Sequence, residues 1–182
     1  MRICVFAGSR SGTRSPYLAA ARELGQALAR RGIGVVYGGG GAGLMGSVAD
    51  AVLAARGEVI GVMPRGLFAA EAVHRGITRL IEVEGMHQRK ALMGELASAF
   101  IALPGGMGTF EELFEAISWA QLSIHHKPVG LLDVAGYYRP LLSLVDHAVK
   151  EGFVPEAVGE LITVEGDPEA LVDRLAGRQR PG

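Results

Sequence analysis

The sequence predicts an α/β protein: a Rossmann-like, doubly wound, mostly parallel sheet with helices on both faces. Three observations carry that prediction. Short apolar segments rich in Val and Ile alternate with longer segments of helical period along nearly the whole chain, the signature of repeated β-α units. Glycine-bearing loops at 8–12, 38–46 and 105–108 each follow an apolar segment, and ligands of such sheets bind outside the carboxyl ends of the strands. Finally, 182 residues with 49% apolar and 20% charged side chains suit one domain with a full-sized core.

Taken in order, Arg2–Ala7 is a first buried strand, and Pro16–Arg31 returns as a helix. Ile33–Tyr37 and the helix Leu44–Arg56 repeat the unit, followed by a third strand at Glu58–Met63. Arg79–Val83 is a fourth strand, with a helix at Met86–Ala97. Phe100–Leu103 precedes a helix at Phe110–Ile124, and Pro128–Leu132 precedes one at Tyr137–Glu151. A strand near Leu161–Val164 and a helix at Pro168–Gly177 close the chain. No internal repeat, low-complexity segment or linker interrupts the pattern, so residues 1–182 read as one nucleotide-binding domain, with 177–182 expected to fray.

Composition removes several function classes. A formal net charge of −1 leaves no electrostatic footprint for nucleic acid or an anionic membrane. Cys4 is the one cysteine, which excludes an intrachain disulfide and reads as a buried core thiol. Gly8-Ser-Arg-Ser-Gly12 interrupts the N-terminal apolar run before it reaches signal-peptide form, and no apolar run approaches membrane-spanning length. A soluble, cytoplasmic protein is expected. There is no Gly-Lys-Ser/Thr of a Walker loop and no Gly-x-Ser-x-Gly elbow. Lys90, Lys127 and Lys150 are the only lysines, which argues against a pyridoxal enzyme. His87, His125 and His126 lack companion ligands, so no metal site is expected.

The densest chemistry lies in Leu103-Pro-Gly-Gly-Met-Gly-Thr-Phe-Glu-Glu112. Glycines clear side chains from the turn, and a helix N-terminus beyond it favours an anion such as phosphate. Thr109 and Glu112 add a hydroxyl and a carboxylate. They also form a capping box, which needs no catalysis, so both readings stand. On the helical wheel Phe110, Leu113, Phe114, Ile117 and Gln121 share the core face, while Glu112, Glu115 and Trp119 project roughly opposite. Earlier in the chain, Gly41-Ala-Gly-Leu-Met-Gly46 matches G-x-G-x-x-G. It follows the second strand, and no acidic residue ends the next one. That strand runs into Arg65, thin support for a 2′-phosphate. Phosphate contact without a redox cofactor is the preferred reading, with a tight packing turn as the alternative. In Gly85-Met-His-Gln-Arg-Lys90, Arg89 falls within the apolar arc of Met86, Leu92, Met93 and Leu96. An inward guanidinium needs an anionic partner; a structural carboxylate, a substrate phosphate or Glu112 would each serve.

Together, Pro104-Gly-Gly-Met-Gly-Thr-Phe-Glu-Glu112, Met86-His-Gln-Arg-Lys90, Tyr37-Gly-Gly-Gly-x-x-Gly-Leu-Met-Gly46, Trp119-Ala-Gln-Leu122 and Gly136-Tyr-Tyr138 resemble the LOG (Lonely Guy) family over almost the full length. Its members are cytokinin riboside 5′-monophosphate phosphoribohydrolases, often labelled lysine decarboxylases. The resemblance implies hydrolysis of the N-glycosidic bond of adenine-type nucleoside 5′-monophosphates to free base and ribose 5-phosphate. A non-enzymatic nucleotide or cofactor carrier on the same fold is the alternative. The resemblance implies Arg89 and Glu112 as the catalytic pair. It further implies substrate contacts at Ser9, Gly40, Gly43, Glu71, Met86, Lys90, Gly105, Gly106, Met107, Gly108, Thr109, Phe110, Glu111 and Ser118. Ser118 stands where the family more often has threonine, and Arg10 replaces a small residue. No cofactor is implied. A homodimer with its site near the subunit interface is, in keeping with Trp119 on the non-core face.

Overall fold

The structure, a computed structural model, describes residues 1–66 and 73–177. The strands are β1 Arg2–Phe6, β2 Gly34–Tyr37, β3 Val59–Pro64, β4 Arg79–Val83, β5 Ala99–Ala102, β6 Val129–Leu132 and β7 Ile162–Glu165. The helices are α1 Ser15–Arg30, α2 Gly43–Ala54, α3 Met86–Leu96, α4 Met107–Gln121, α5 Arg139–Lys150, the single turn α6 Val158–Leu161 and α7 Pro168–Gly177.

Every strand pair is parallel, in the order β4-β3-β2-β1-β5-β6-β7, so the expected mostly parallel sheet is wholly parallel among the described residues. Alternate residues of β1 face opposite cores, as the strand period of two requires. Ile3 and Val5 pack with Leu24, Leu28, Val48 and Leu171 on one face. Cys4 and Phe6 pack with Met93, Phe100, Leu113 and Ile117 on the other. Covering both faces with helices is what lets the central strands be apolar throughout.

The order reverses at β1, whose neighbours are β2 and β5. A crevice opens at such a reversal, beyond the carboxyl ends of the strands. Here the loops after β1 and β5 meet: Gly8 N–H donates to the Pro104 carbonyl at 3.1 Å, and Leu103 N–H to the Phe6 carbonyl at 2.9 Å.

Two expectations need correction. Helix α4 begins at Met107 rather than Phe110, with Gly106 as an extended N-cap and no side-chain cap. The capping box of Thr109 and Glu112 is therefore absent, because Thr109 already lies inside the first turn. The buried face of α4 is also rotated from the one expected. Thr109, Leu113, Ala116 and Ile117 are buried, whereas Phe114 is 41% exposed and Gln121 also exposed. Glu112 flanks the buried stripe, four residues before Ala116, and is drawn inward with it. The helix expected at Tyr137–Glu151 is α5, and a separate 3-10 turn at Val134–Gly136 precedes it. Ala135 and Gly136 have φ of 53° and 77°, so that turn cannot run on into α5 as one helix.

Candidate active site

Arg89 is turned inward, as its position in the apolar arc of α3 predicts. Its Nε donates to the Val62 carbonyl at 3.2 Å, and Nη2 reaches toward the Gly38 carbonyl at 3.5 Å. Both acceptors belong to the carboxyl end of the sheet, so strand ends aim the guanidinium. Gly38 makes room for it: a Cβ there would lie 2.0 Å from Nη2. The same Nη2 lies 4.0 Å from Glu112 Oε1, and each side chain is only 13% exposed. Of the three partners that the sequence left open, Glu112 is the one placed beside the guanidinium here.

Burial pushes the Glu112 carboxyl up to about 7 from its ordinary 4.5; Arg89 opposes the shift, while Glu111 and Glu115 add to it. A carboxyl poised near neutrality can exchange a proton during turnover, the property a general acid or base needs.

Glu112 stands in a wall shared by two cavities. One is a cleft of about 740 Å³, bounded by Ser9–Gly12, Tyr17, Met45, Arg89, Gly105–Thr109 and Tyr137. The other is a smaller apolar slot of about 170 Å³ between α3 and α4, with Phe6, Met93, Phe100, Ala116 and Trp119 among its walls. The uncapped start of α4 faces the cleft. The N–H groups of an α-helix's first turn have no acceptor within the helix, so those of Met107, Gly108 and Thr109 are available to an anion there. Thr109 itself is buried against Gly105, whose absent Cβ leaves its hydroxyl space.

The cleft thus gathers Ser9, Arg89, Glu112, Gly105, Gly106, Met107, Gly108 and Thr109. Other sequence candidates lie elsewhere. Lys90 pairs with Glu111 and with Glu115 (3.0 Å) beside the slot, and the Glu111 hydrogen bond holds its ammonium above the usual lysine range. Met86 is partly exposed, its sulfur 3.7 Å from Arg89 Nη1. Phe110 stacks on Tyr137, and Ser118 is exposed on α4. Glu71 lies outside the described residues. Gly40 pairs with Val73 in an isolated bridge.

Gly43 packs rather than lines the cleft. It has φ of 61°, and a Cβ would sit 2.4 Å from Ser9. The Gly8 carbonyl takes the N–H groups of Leu44 and Met45, so the start of α2 is spent on structure. The packing-turn alternative for Gly41–Gly46 is the one that this geometry favours. Arg65, the other support for a dinucleotide, is exposed and paired with Glu84 at 3.0 Å.

Two cleft residues escaped the sequence analysis as site candidates, Tyr17 and Tyr137. The signal for Tyr137 was its place after β6, whose carboxyl end joins the same sheet edge.

A family model described as possible lysine decarboxylase matches residues 45–175. The cytokinin riboside 5′-monophosphate phosphoribohydrolase LOG of Oryza sativa subsp. japonica is 51% identical over 174 residues, covering 96% of this chain and 71% of that protein. A cytokinin riboside 5′-monophosphate phosphoribohydrolase of Arabidopsis thaliana is also 51% identical, covering 96% of this chain and 81% of its own length. Among solved structures, the molybdenum cofactor binding protein from Rippkaea orientalis superposes with a TM-score of 0.74 at 23% identity, covering 98% and 97% of the two chains. That likeness concerns the fold alone. The fold and the site define a Rossmann-like protein whose cleft, at the open start of α4, lies beside a buried carboxyl–guanidinium pair. The chain belongs to the LOG family.

A raised carboxyl pKa carries a stability consequence. The folded state holds the Glu112 proton more tightly than the unfolded chain does, so stability falls as pH rises between about 4.5 and 7. The penalty is fully present above that window, roughly 3 kcal/mol by linkage. Glu112→Gln is expected to raise stability by about 1–3 kcal/mol near pH 8, with the gain vanishing toward pH 4.5. Chemical denaturation at several pH values measures it. A loss of stability throughout would instead make Glu112 a net stabilising partner of Arg89.

Proposed function

We propose that this protein hydrolyses the N-glycosidic bond of adenine-type nucleoside 5′-monophosphates, cytokinin riboside monophosphates among them, to free base and ribose 5-phosphate. The observation that carries the reading is Glu112, a buried carboxyl with a pKa of about 7, set between the cleft and the apolar slot. The relatives at 51% identity, named for this activity, support it.

In this reading the 5′-phosphate rests on the turn at Gly105–Thr109, where the first N–H groups of α4 and its dipole favour an anion. Ser9 and Arg10, across the cleft, complete the cradle. The ribose lies against Glu112. As the bond to the base lengthens, positive charge grows on the sugar, and the ionised carboxylate stabilises the oxocarbenium-like transition state. The same carboxylate takes a proton from the attacking water. Arg89 keeps Glu112 in register and favours its ionised form. The slot beyond Glu112 receives an apolar substituent on the base. Of the flexible apolar candidates, Met93 and Trp119 line it, whereas Met45 faces the cleft. Lys90 acts by holding Glu111 and Glu115 in place.

We also propose a homodimer formed through the outer side of α4 and the segment after it. Phe114, Leu122 and Ile124 are 41%, 65% and 62% exposed there, a run of apolar surface that favours a protein partner. Sedimentation is expected to give twice the 19.1 kDa chain mass; a monomer at micromolar concentration contradicts this.

The activity is tested by presenting AMP, prenylated AMP and the two corresponding nucleosides. Both nucleotides are expected to release base, prenylated AMP with the lower KM, while the nucleosides do not react. Glu112→Gln is expected to lower kcat by about 10³-fold and Arg89→Ala to lower kcat/KM by about 10²-fold or more, both variants remaining folded. Full activity in both variants contradicts the roles. Tight nucleotide binding without turnover by the wild type makes the protein a carrier instead.

A further inference from the structure

Every carbonyl in the Leu103-Pro104-Gly105 turn is engaged by a donor. The Tyr138 hydroxyl donates to the Leu103 carbonyl at 2.6 Å, Gly8 N–H donates to the Pro104 carbonyl at 3.1 Å, and the Tyr137 hydroxyl donates to the Gly105 carbonyl. Such a pattern has an electrostatic purpose at an anion site. A carbonyl oxygen turned toward a phosphate would repel it, so a turn that cradles one works best when its oxygens are tied elsewhere. Fixed dipoles that need no rearrangement on binding are the efficient arrangement.

Two of these three donors are adjacent residues, and the backbone before them is distorted to deliver both. Ala135 and Gly136 occupy the left-handed region with φ of 53° and 77°. For Ala135 this conformation is costly, and such residues persist only where surrounding structure holds them. Asp133 supplies part of that hold, its Oδ1 accepting from Tyr138 N–H at 2.7 Å. The two tyrosines then divide the work. Tyr138 is fully buried and serves the base of the turn. Tyr137 lines the cleft itself, its ring stacked on Phe110 and edge-on to Tyr17 and Tyr138.

We propose that Tyr137 is a positioning residue for the phosphate: its hydroxyl restrains the Gly105 carbonyl, so that the turn leading into α4 offers the substrate donors rather than acceptors. Tyr137 thus acts through Gly105 and contributes to nucleotide affinity, equally in ground state and transition state. The inference rests on the phosphate-binding role given above to the Gly105–Thr109 turn.

Tyr137→Phe removes the hydroxyl and keeps the ring, so the stacking with Phe110 and Tyr17 survives. The expected result is a rise of about tenfold in KM for AMP with kcat within about twofold, because uniform binding has been lost. The inhibition constant of ribose 5-phosphate is expected to rise in the same ratio, while the melting temperature stays within a few degrees. A purely structural tyrosine would move the melting temperature and leave both constants alone. Unchanged KM and inhibition constant, or a fall in kcat alone, overturn the proposal. If the wild type turns over no nucleoside monophosphate, the hydrolase reading fails on its own. Tyr137 is then judged by calorimetric titration of ribose 5-phosphate into wild type and variant. Weaker binding to the variant supports the proposal, and equal binding, or none to the wild type, overturns it.

Discussion

Glu112 and Arg89 share a space from which water is largely excluded, and much of the molecule is arranged around that contact. An ionised carboxylate loses hydration when buried, and a guanidinium alone would be equally costly to enclose. At 4.0 Å the pair is close enough for attraction yet too long for a hydrogen bond. Glu112 is therefore incompletely compensated, which is why its pKa rises despite the adjacent cation. The Val62 carbonyl on Nε, and more weakly the Gly38 carbonyl on Nη2, draw Arg89 away from a closer contact. The tension between burial and pairing makes a surface-type glutamate into a group that titrates near neutrality.

The sheet supplies the setting. Its order reverses at β1, and the loops after β1 and β5 join across that reversal through Gly8 and Pro104. The glycines in those loops serve different ends. Gly43 lets the β1 loop lie on the start of α2, and Gly38 leaves room for the guanidinium. The Gly105–Thr109 turn keeps the N-terminus of α4 open toward the cleft. One face of Glu112 meets this donor-rich cleft and the other an apolar slot. A molecule with a phosphate at one end and an apolar base substituent at the other matches that division.

The alternation of apolar strands and helical segments made the sheet legible, since each central strand is buried on both faces and needs no polar partner. Arg89 was legible because a lone cation within an apolar arc can only point inward. Glu112 was legible as a candidate, but its burial was not, for two physical reasons. Glycine's poor helix propensity set the start of α4 three residues late, which manufactured a capping box. Phe114 also reads as core from its aromatic side chain, although it lies on an outer surface, and that rotates the helical wheel away from Glu112. Tyr137 was hidden more deeply. Its contact is with a carbonyl 32 positions earlier, and no local pattern encodes a hydrogen bond between two connecting loops.

The pH dependence of kcat/KM on AMP tests the central claim most directly. A Glu112 that acts as a carboxylate with a pKa of about 7 gives an acid limb: the rate falls tenfold per pH unit below about 6.5 and levels off above about 7.5. A profile that stays flat from pH 5 to pH 8, measured where the protein remains folded, would contradict the account. Glu112 would then be an ordinary carboxylate, ionised throughout, and its burial would have no part in the chemistry.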